Sequence, residues 1–355
     1  MTHPLPSTPA VVLYAADDLM EWTAKAFQAA GVRPLDAQHT ARVLLRTSLR
    51  GIDTHGVVRV MPYIEKVRSG EVNAAPNISS QLRDGVLHFD GDGGLGQSVA
   101  SEAMTAAIEQ ARSQPVVTCL LRRSGHLSAI GQFALQAAEQ GMIALICQET
   151  PPLMALRGSS RPSIGNNPIA FAAPVSGQAP LVFDMATSVV ARGNVLDAIR
   201  EGRPSLPEGW AIGPDGEPTC DPAQALKGAM LPIAGHKGIG LAMMVQVLAG
   251  SLSASTTAQS AATHAATSSA GNVSAFILVI NPDLVIGRDT FDAHMHAWID
   301  TYKNASGAGG RYPGERAAEI EAQRLRDGIP LASQVVAELQ KVGESVGHAF
   351  TVQPR

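Results

Sequence analysis

Residues 86–147 read VLHFDGDGGLGQSVASEAMTAAIEQARSQPVVTCLLRRSGHLSAIGQFALQAAEQGMIALIC. Three short apolar runs rich in β-branched residues stand out: VLHFD (86–90), VVTCLL (116–121) and MIALIC (142–147). Stretches of helical character near 97–113 and 129–140 separate them. Strand, helix, strand, helix, strand is the pattern of βαβ units, because parallel strands need a crossover long enough to hold a helix. The spacing predicts an α/β fold with a largely parallel sheet. IAFAAP (169–174), LVFDMA (181–186) and AFILVI (275–280) supply further strands.

Upstream the character is helical. DDLMEWTAKAFQAAG (17–31) has an Asp N-cap and a Gly stop, and PLDAQHTARVLLRTSLRG (34–51) opens on Pro34 and closes on Gly51. THGVVRVMPYIEKVRSG (54–70) reads as a third helix. Downstream, LAMMVQVLAGSL (241–252) is apolar nearly all round, which predicts a buried helix. Residues 251–272 are almost pure Ser, Ala and Thr, as in a mobile surface loop or a lid beside a site. Two helical stretches follow, RDTFDAHMHAWIDTYKN (288–304) and GERAAEIEAQRLRDG (314–328). The expected division is a helical domain from 10–75 plus 285–350, and an α/β domain over 76–284.

Composition narrows the function classes. The 355 residues are 45% hydrophobic and 16% charged, which supports a real core and excludes global disorder. The net charge of −4 offers no electrostatic footprint for nucleic acid. Three scattered cysteines, Cys119, Cys147 and Cys220, form neither a disulfide framework nor a metal knuckle, as expected in a reducing compartment. No signal-like start or long apolar run is present, so the expectation is a cytoplasmic protein without a membrane partner.

Several motifs carry candidate chemistry. GDGGLG (91–96) matches GxGxxG between a strand and a helix, but Asp90 and Asp92 would repel a phosphate, and Arg122 and Arg123 stand where a ribose-binding acid belongs. A plain tight turn is the alternative. GHKGIGLA (235–242) combines glycines, His236, Lys237 and a helix start, which suits a phosphate or ribose through free backbone N–H groups. A capped helix with a solvated Lys is the bland alternative. In DTHGVVRVMPY (53–63), His55, Arg59 and Tyr63 recur at four-residue spacing and would share one helix face. A His proton donor one turn from an Arg fork suits a small carboxylate substrate, although a helix-start His beside a surface Arg has the same spacing. SGHLSAIG (124–131) and RYPGER (311–316) place His126, Arg311 and Arg316 in turns that either touch a cofactor or simply close loops. His294 and His296 fall on different helix faces, a poor metal pair, and HExxH, GxSxG and P-loop motifs are missing; no metal site is expected.

Taken in order, DTHGVVRV, GHLSAIG, GNNPIAFAAP, VFDMATS, LPEGWAI with DGEPT, MLPIAGHKGIGLAMMV and RYPGER resemble the malate/L-lactate dehydrogenase family that lacks the ordinary Rossmann fold. That family includes ureidoglycolate and sulfolactate dehydrogenases, diketogulonate reductase and Δ1-piperideine-2-carboxylate/Δ1-pyrroline-2-carboxylate reductase. The likeness runs from about Leu19 to about Leu331. It implies a mixed-sheet cofactor domain of non-Rossmann topology, a mainly helical second domain, a homodimer, and NADH or NADPH with a lean to NADPH. It reduces GDGGLG to a structural turn. By motif match, His55 is the proton donor with Thr54 as its polar neighbour, Arg59 holds the substrate carboxylate, and Tyr63 and Asn166 lie on the substrate side. His126, Asp184, Met185, Ala186, Arg192, Gly193, His236, Lys237, Arg311 and Gly314 fall on the cofactor side. Two positions depart from the family pattern. Asn194 stands where imine-reducing relatives carry an acid that completes a relay to the catalytic His, and Asn166 replaces Thr in GTNP. GHKG in place of GYKG is shared with the imine reductases.

The implied reaction moves hydride to or from C2 of a small 2-oxo or 2-hydroxy acid, with His55 moving the proton and Arg59 clamping the carboxylate. The alternative electrophile is a cyclic imine carboxylate. A non-catalytic dinucleotide-binding relative is the third possibility, since fold resemblance alone does not give function. Cations for a 2′-phosphate would come from Arg122, Arg123, Lys237 or Arg311.

Overall fold

The computed structural model describes residues 11–159, 161–254 and 272–355. The chain divides into two compact units, one of Met1–Ala75 with Arg316–Arg355 and one of Pro76–Glu315.

In the first unit, helices Ala16–Ala29 and Pro34–Leu49 follow the predicted segments, joined at Gly31 with φ +97°. They bury Leu19, Phe27, Leu44 and Leu45. Strand Val11–Tyr14 pairs antiparallel with Ile329–Ala332, so the unit's two chain segments meet in one ladder. The third predicted helix is broken. Residues Asp53–His55 and Val57–Arg59 form two 3₁₀ turns, and regular helix begins only at Val60–Arg68. Gly56 is the cause. A Cβ there would lie 2.0 Å from the Ser48 hydroxyl oxygen, and that oxygen accepts the Val57 N–H at 3.0 Å. The backbone turns out of helix to pass this contact. His55, Arg59 and Tyr63 therefore do not share a continuous helix face, and Tyr63 joins Val60, Ile64 and Val67 in the core.

The second unit is built on a seven-stranded sheet. Its strands are β1 (Ser79–Arg83), β2 (Val86–Gly94), β3 (Val116–Ser124), β4 (Ile143–Gln148), β5 (Ile169–Ala173), β6 (Leu181–Met185) and β7 (Val273–Ile280), in spatial order β1-β2-β3-β7-β4-β5-β6. Only β2 and β3 pair in parallel; every other neighbouring pair is antiparallel. The sheet is thus mixed, and the largely parallel sheet inferred from strand–helix alternation is corrected. The crossovers themselves are real: helix α1 (Gly96–Ala111) links β2 to β3, and α2 (Gly131–Glu139) lies between β3 and β4. However, β7 enters between β3 and β4, with Ile277 opposite Cys119 on one side and Ile146 on the other. Its near-continuous apolar run, VSAFILVI, is what a strand covered on both faces requires.

GDGGLG is neither a phosphate loop nor a simple turn. Strand β2 continues through it to Gly94 with an irregular register between Asp90 and Gly94, where Asp92 and Gly93 take φ of +48° and +72°. This is a bulged strand end. Gly96 is required by close approach, since a Cβ would sit 2.4 Å from the Gly125 carbonyl oxygen.

Two further expectations change. Residues 285–315, grouped by composition with the terminal helices, belong to the second unit. Ile299 of the helix Arg288–Ser306 packs with Val175 and Tyr312, and Arg288 donates to the Gly141 carbonyl at 2.7 Å. The helix His236–Val245, continued by a π-helical turn over Gln246–Ser251, is not buried all round. Ala242, Val245 and Ala249 face inward, while Leu241, Met243, Met244, Val247 and Leu252 stand exposed. Of the Ser/Ala/Thr-rich segment read as loop or lid, residues 255–271 lie outside the described residues. No helix among the described residues is long and apolar enough to cross a membrane.

Candidate functional site

In the first unit, the broken 53–59 segment brings Thr54, His55 and Arg59 together. The Thr54 hydroxyl lies 3.0 Å from His55 Nδ1. Arg59 Nε donates to the Thr54 carbonyl at 2.8 Å, which leaves the two terminal nitrogens of the fork for a carboxylate. His55 is half-buried. Desolvation, reinforced by the Arg59 charge, lowers its pKa to about 4. At neutral pH the imidazole is uncharged, a proton acceptor at rest.

In the second unit, four loops are stitched side by side. Asp184, at the end of β6, accepts the Gly131 N–H at 2.7 Å at the start of α2. Asp184 retains solvent access, yet desolvation of its carboxyl raises the pKa to about 6, against the lowering effect of that hydrogen bond. In the adjoining loop, His126 Nδ1 accepts the Ser128 N–H at 3.3 Å, so a neutral ring carries its proton on Nε2. Beyond Asp184, the Thr187 N–H and hydroxyl both donate to the Asn166 carbonyl at 2.9 Å. The Ile233 N–H in turn donates to the Thr187 carbonyl at 2.9 Å. Asn166, Asp184–Thr187 and the turn before His236 and Lys237 thus form one hydrogen-bonded edge.

Some of the residues expected on the cofactor side serve packing. Met185 packs against the cluster of Leu120, Cys147, Ile169 and Phe276. Gly314 takes φ +109°, and a Cβ there would lie 2.5 Å from the Pro180 carbonyl. The Val182 N–H donates to the Pro313 carbonyl at 2.8 Å, so the RYPGER turn is pinned to β6 and carries Arg311 beside it. Arg192, Gly193 and Asn194 open the helix Arg192–Arg200, with Arg192 exposed. His236 and Lys237 are exposed at the start of their helix. The expected free backbone donors there are corrected. The N–H groups of Lys237, Gly238 and Ile239 already bond to the carbonyls of Ala234, Ile233 and Gly235, so what Lys237 presents to solvent is its side chain. Arg122 and Arg123 are likewise engaged. Arg122 pairs with Asp90 at 3.1 Å, and Arg123 pairs with Asp90 at 2.7 Å and Asp92 at 3.1 Å.

Sequence reasoning missed what lies under this edge. Asn167, fully buried, accepts the Thr150 N–H at 2.9 Å and donates to the Ala242 carbonyl at 2.9 Å. Gln246 donates to the buried Glu149 at 2.8 Å. The one available signal was Gly165 in GNNP, where a Cβ would lie 2.2 Å from the Thr150 carbonyl. The buried thiols of Cys119 and Cys147 are pushed up to about 12 by desolvation and are inert at neutral pH. Among the described residues, no three His, Cys, Asp or Glu side chains gather in a way that could hold a metal ion.

Known proteins resemble this chain over most of its length. Residues 14–340 match the family described as malate/L-lactate dehydrogenase. The chain is 35% identical to a malate dehydrogenase of Pyrococcus abyssi, over 93% of this chain and 94% of that one. It is 33% identical to a Δ1-pyrroline-2-carboxylate/Δ1-piperideine-2-carboxylate reductase of Pseudomonas aeruginosa, over 81% and 86% of the two chains. The solved malate dehydrogenase of Pyrococcus horikoshii superposes with a TM-score of 0.83 at 30% identity, covering 99% of this chain and 100% of that one. Relatives at similar identity carry NAD+ and NADP+ in their names.

Proposed function

The chain belongs to the malate/L-lactate dehydrogenase family, and from that premise we propose that it interconverts a small 2-hydroxy acid and its 2-oxo acid. It is a nicotinamide-dependent oxidoreductase. The observation that carries the substrate reading is the Thr54–His55–Arg59 cluster, a neutral imidazole beside a guanidinium with two donors unspent.

The second unit suits a dinucleotide. The accessible Asp184 carboxylate can accept a ribose hydroxyl, His126 can donate from Nε2, and Lys237 and Arg192 are exposed cations fit for phosphates. Asp90 and Asp92 hold Arg122 and Arg123, which leaves the exposed Lys237 as a candidate for the extra phosphate that would favour NADPH. When bound, the nicotinamide ring gives or takes the hydride.

The protein's own part is position and a proton. Arg59 grips the substrate carboxylate through its terminal nitrogens. In the oxidative direction, neutral His55 removes the hydroxyl proton. In the reductive direction it must return one; desolvation is the main cause of its low pKa, and a substrate carboxylate on Arg59 offsets the second cause, the Arg59 charge. Protonation of His55 is thereby coupled to substrate binding. The low pKa also favours a second substrate, a cyclic imine carboxylate. An iminium arrives with its proton already on nitrogen, so its reduction asks no proton of His55. The deciding measurement is NADH and NADPH consumption with pyruvate, oxaloacetate and Δ1-piperideine-2-carboxylate. Turnover of an oxo acid supports the first reading, turnover of the imine alone supports the second, and inertness toward all three rejects both.

The exposed apolar stripe along residues 241–252 supports a homodimer, since a contiguous apolar face on a surface helix marks an interaction site. Sedimentation should give twice the mass of one chain. The double substitution Met243→Glu and Val247→Glu should shift it to a single chain; a wild-type monomer at micromolar concentration would end the proposal.

A further inference from the structure

The turn that presents His55 is held from the second segment of the first unit's chain. Arg324 lies on the helix Glu315–Asp327. Its Nη1 and Nη2 donate to the two carboxylate oxygens of Asp53 at 2.5 and 3.0 Å. Nη1 also donates to the Ser48 carbonyl at 2.5 Å. Ser48 in turn accepts the Val57 N–H on its hydroxyl, at the point where Gly56 passes too closely for any side chain. One guanidinium therefore closes the turn on both sides, through Asp53 before His55 and through Ser48 after it.

The pairing has the features of a positioning contact. It is bidentate, and the Arg324 side chain is only 16% exposed although that of Asp53 is 52% exposed, so the fork geometry and its third bond to Ser48, rather than burial of the pair, set it apart from an ordinary surface ion pair. The turn has no regular helix of its own to hold it. Its shape also sets Arg59, whose Nε rests on the Thr54 carbonyl inside the same turn.

We propose that Arg324 is the positioning residue for the His55–Arg59 pair: it fixes the 53–57 turn through Asp53 and Ser48 and touches neither substrate nor cofactor. The proposal rests on the role of His55 given above. The same helix supplies an internal control. Glu321 pairs with Arg46 at 3.0 Å and with Arg50 at 2.7 Å, joining the same two helices without touching Asp53 or Ser48.

The test uses the full chain as Arg324→Ala, Arg324→Lys and Glu321→Ala, with two readouts. Amide hydrogen exchange needs no turnover. Arg324→Ala should speed exchange at residues 53–59 by about tenfold or more while the helix Pro34–Leu49 keeps its protection. With the substrate identified in the panel, kcat should fall about 10–100-fold, because small misplacements of reacting groups are costly. Cofactor affinity, read by fluorescence titration, should not move. Arg324→Lys should recover part of both losses, and it serves in place of the Ala variant if that one fails to fold. Glu321→Ala should lower the melting temperature and leave kcat and the exchange of 53–59 alone. Unchanged exchange at 53–59 in Arg324→Ala overturns the proposal, as does a loosened turn with wild-type kcat, or an equal loss of kcat in Glu321→Ala. If wild-type protein turns over none of the panel, the functional reading fails, and the exchange arm alone decides whether Arg324 holds the turn.

Discussion

Replacing His55 with Gln is expected to lower kcat toward a 2-hydroxy or 2-oxo acid by about 10²–10⁴-fold, the worth of a positioned acid–base group. Gln keeps hydrogen-bonding capacity but cannot exchange a proton, so substrate and cofactor affinity should change little. The pH profile sharpens the assignment. With its pKa lowered to about 4, His55 is a competent base across the neutral range. For oxidation, kcat/KM of the wild type should hold level down to about pH 5 and fall only as pH approaches 4. An unperturbed imidazole would impose a fall below about 6.5. For reduction of an oxo acid, kcat/KM requires the protonated form of the free enzyme and should drop about tenfold per pH unit above 5. The two profiles are consistent, because reduction consumes a proton and their ratio must follow the overall equilibrium. Imine reduction escapes the second fall, as its substrate brings the proton. A full-rate His55→Gln enzyme, or an oxidation limb near 6.5, removes His55 from the reaction.

The second large effect belongs to Arg59. Arg59→Met should reduce kcat/KM by about 10²–10⁴-fold, since two charge-assisted hydrogen bonds at about 1.5–3 kcal/mol each are lost. Arg59→Lys should recover only part of this, because an ammonium is a point charge that cannot match both carboxylate oxygens. A second signature separates this from general damage. The Arg59 charge is one of the two causes that lower the His55 pKa, so its removal should move the oxidation limb upward from about 4 toward the ordinary imidazole range. Loss of activity without movement of the limb would show that the two side chains do not act on one another.

Several predicted elements are present because their signals are local. Helices at Ala16–Ala29 and Pro34–Leu49 follow from apolar spacing, Pro34 and the glycine stop, and the strands at 86–94, 116–124 and 143–148 follow from short β-branched runs. His55 and Arg59 stand out by side-chain type and by the motif resemblance, since their spacing alone equally fits a helix-start His beside a surface Arg. The break at Gly56 was not legible, because it depends on Ser48, which approaches from the preceding helix. The buried helix that the sequence predicts over 241–252 carries an exposed stripe for a related reason. A helix apolar on every side gives no internal sign of which side the rest of the chain covers.

From the order of its residues alone this chain determined most of its element types, its family, and the imidazole and guanidinium on which the proposed chemistry turns. Those properties are written in spacing and side-chain type, which neighbours along the chain can express. Tertiary structure decided the insertion of β7 between β3 and β4, the bulge at GDGGLG, the capture of Gly131 by Asp184, and the grip of Arg324 on Asp53. Each of these joins groups distant in sequence. Their partners are selected by which surfaces bury together and which polar groups must be satisfied there, and no local pattern carries that information.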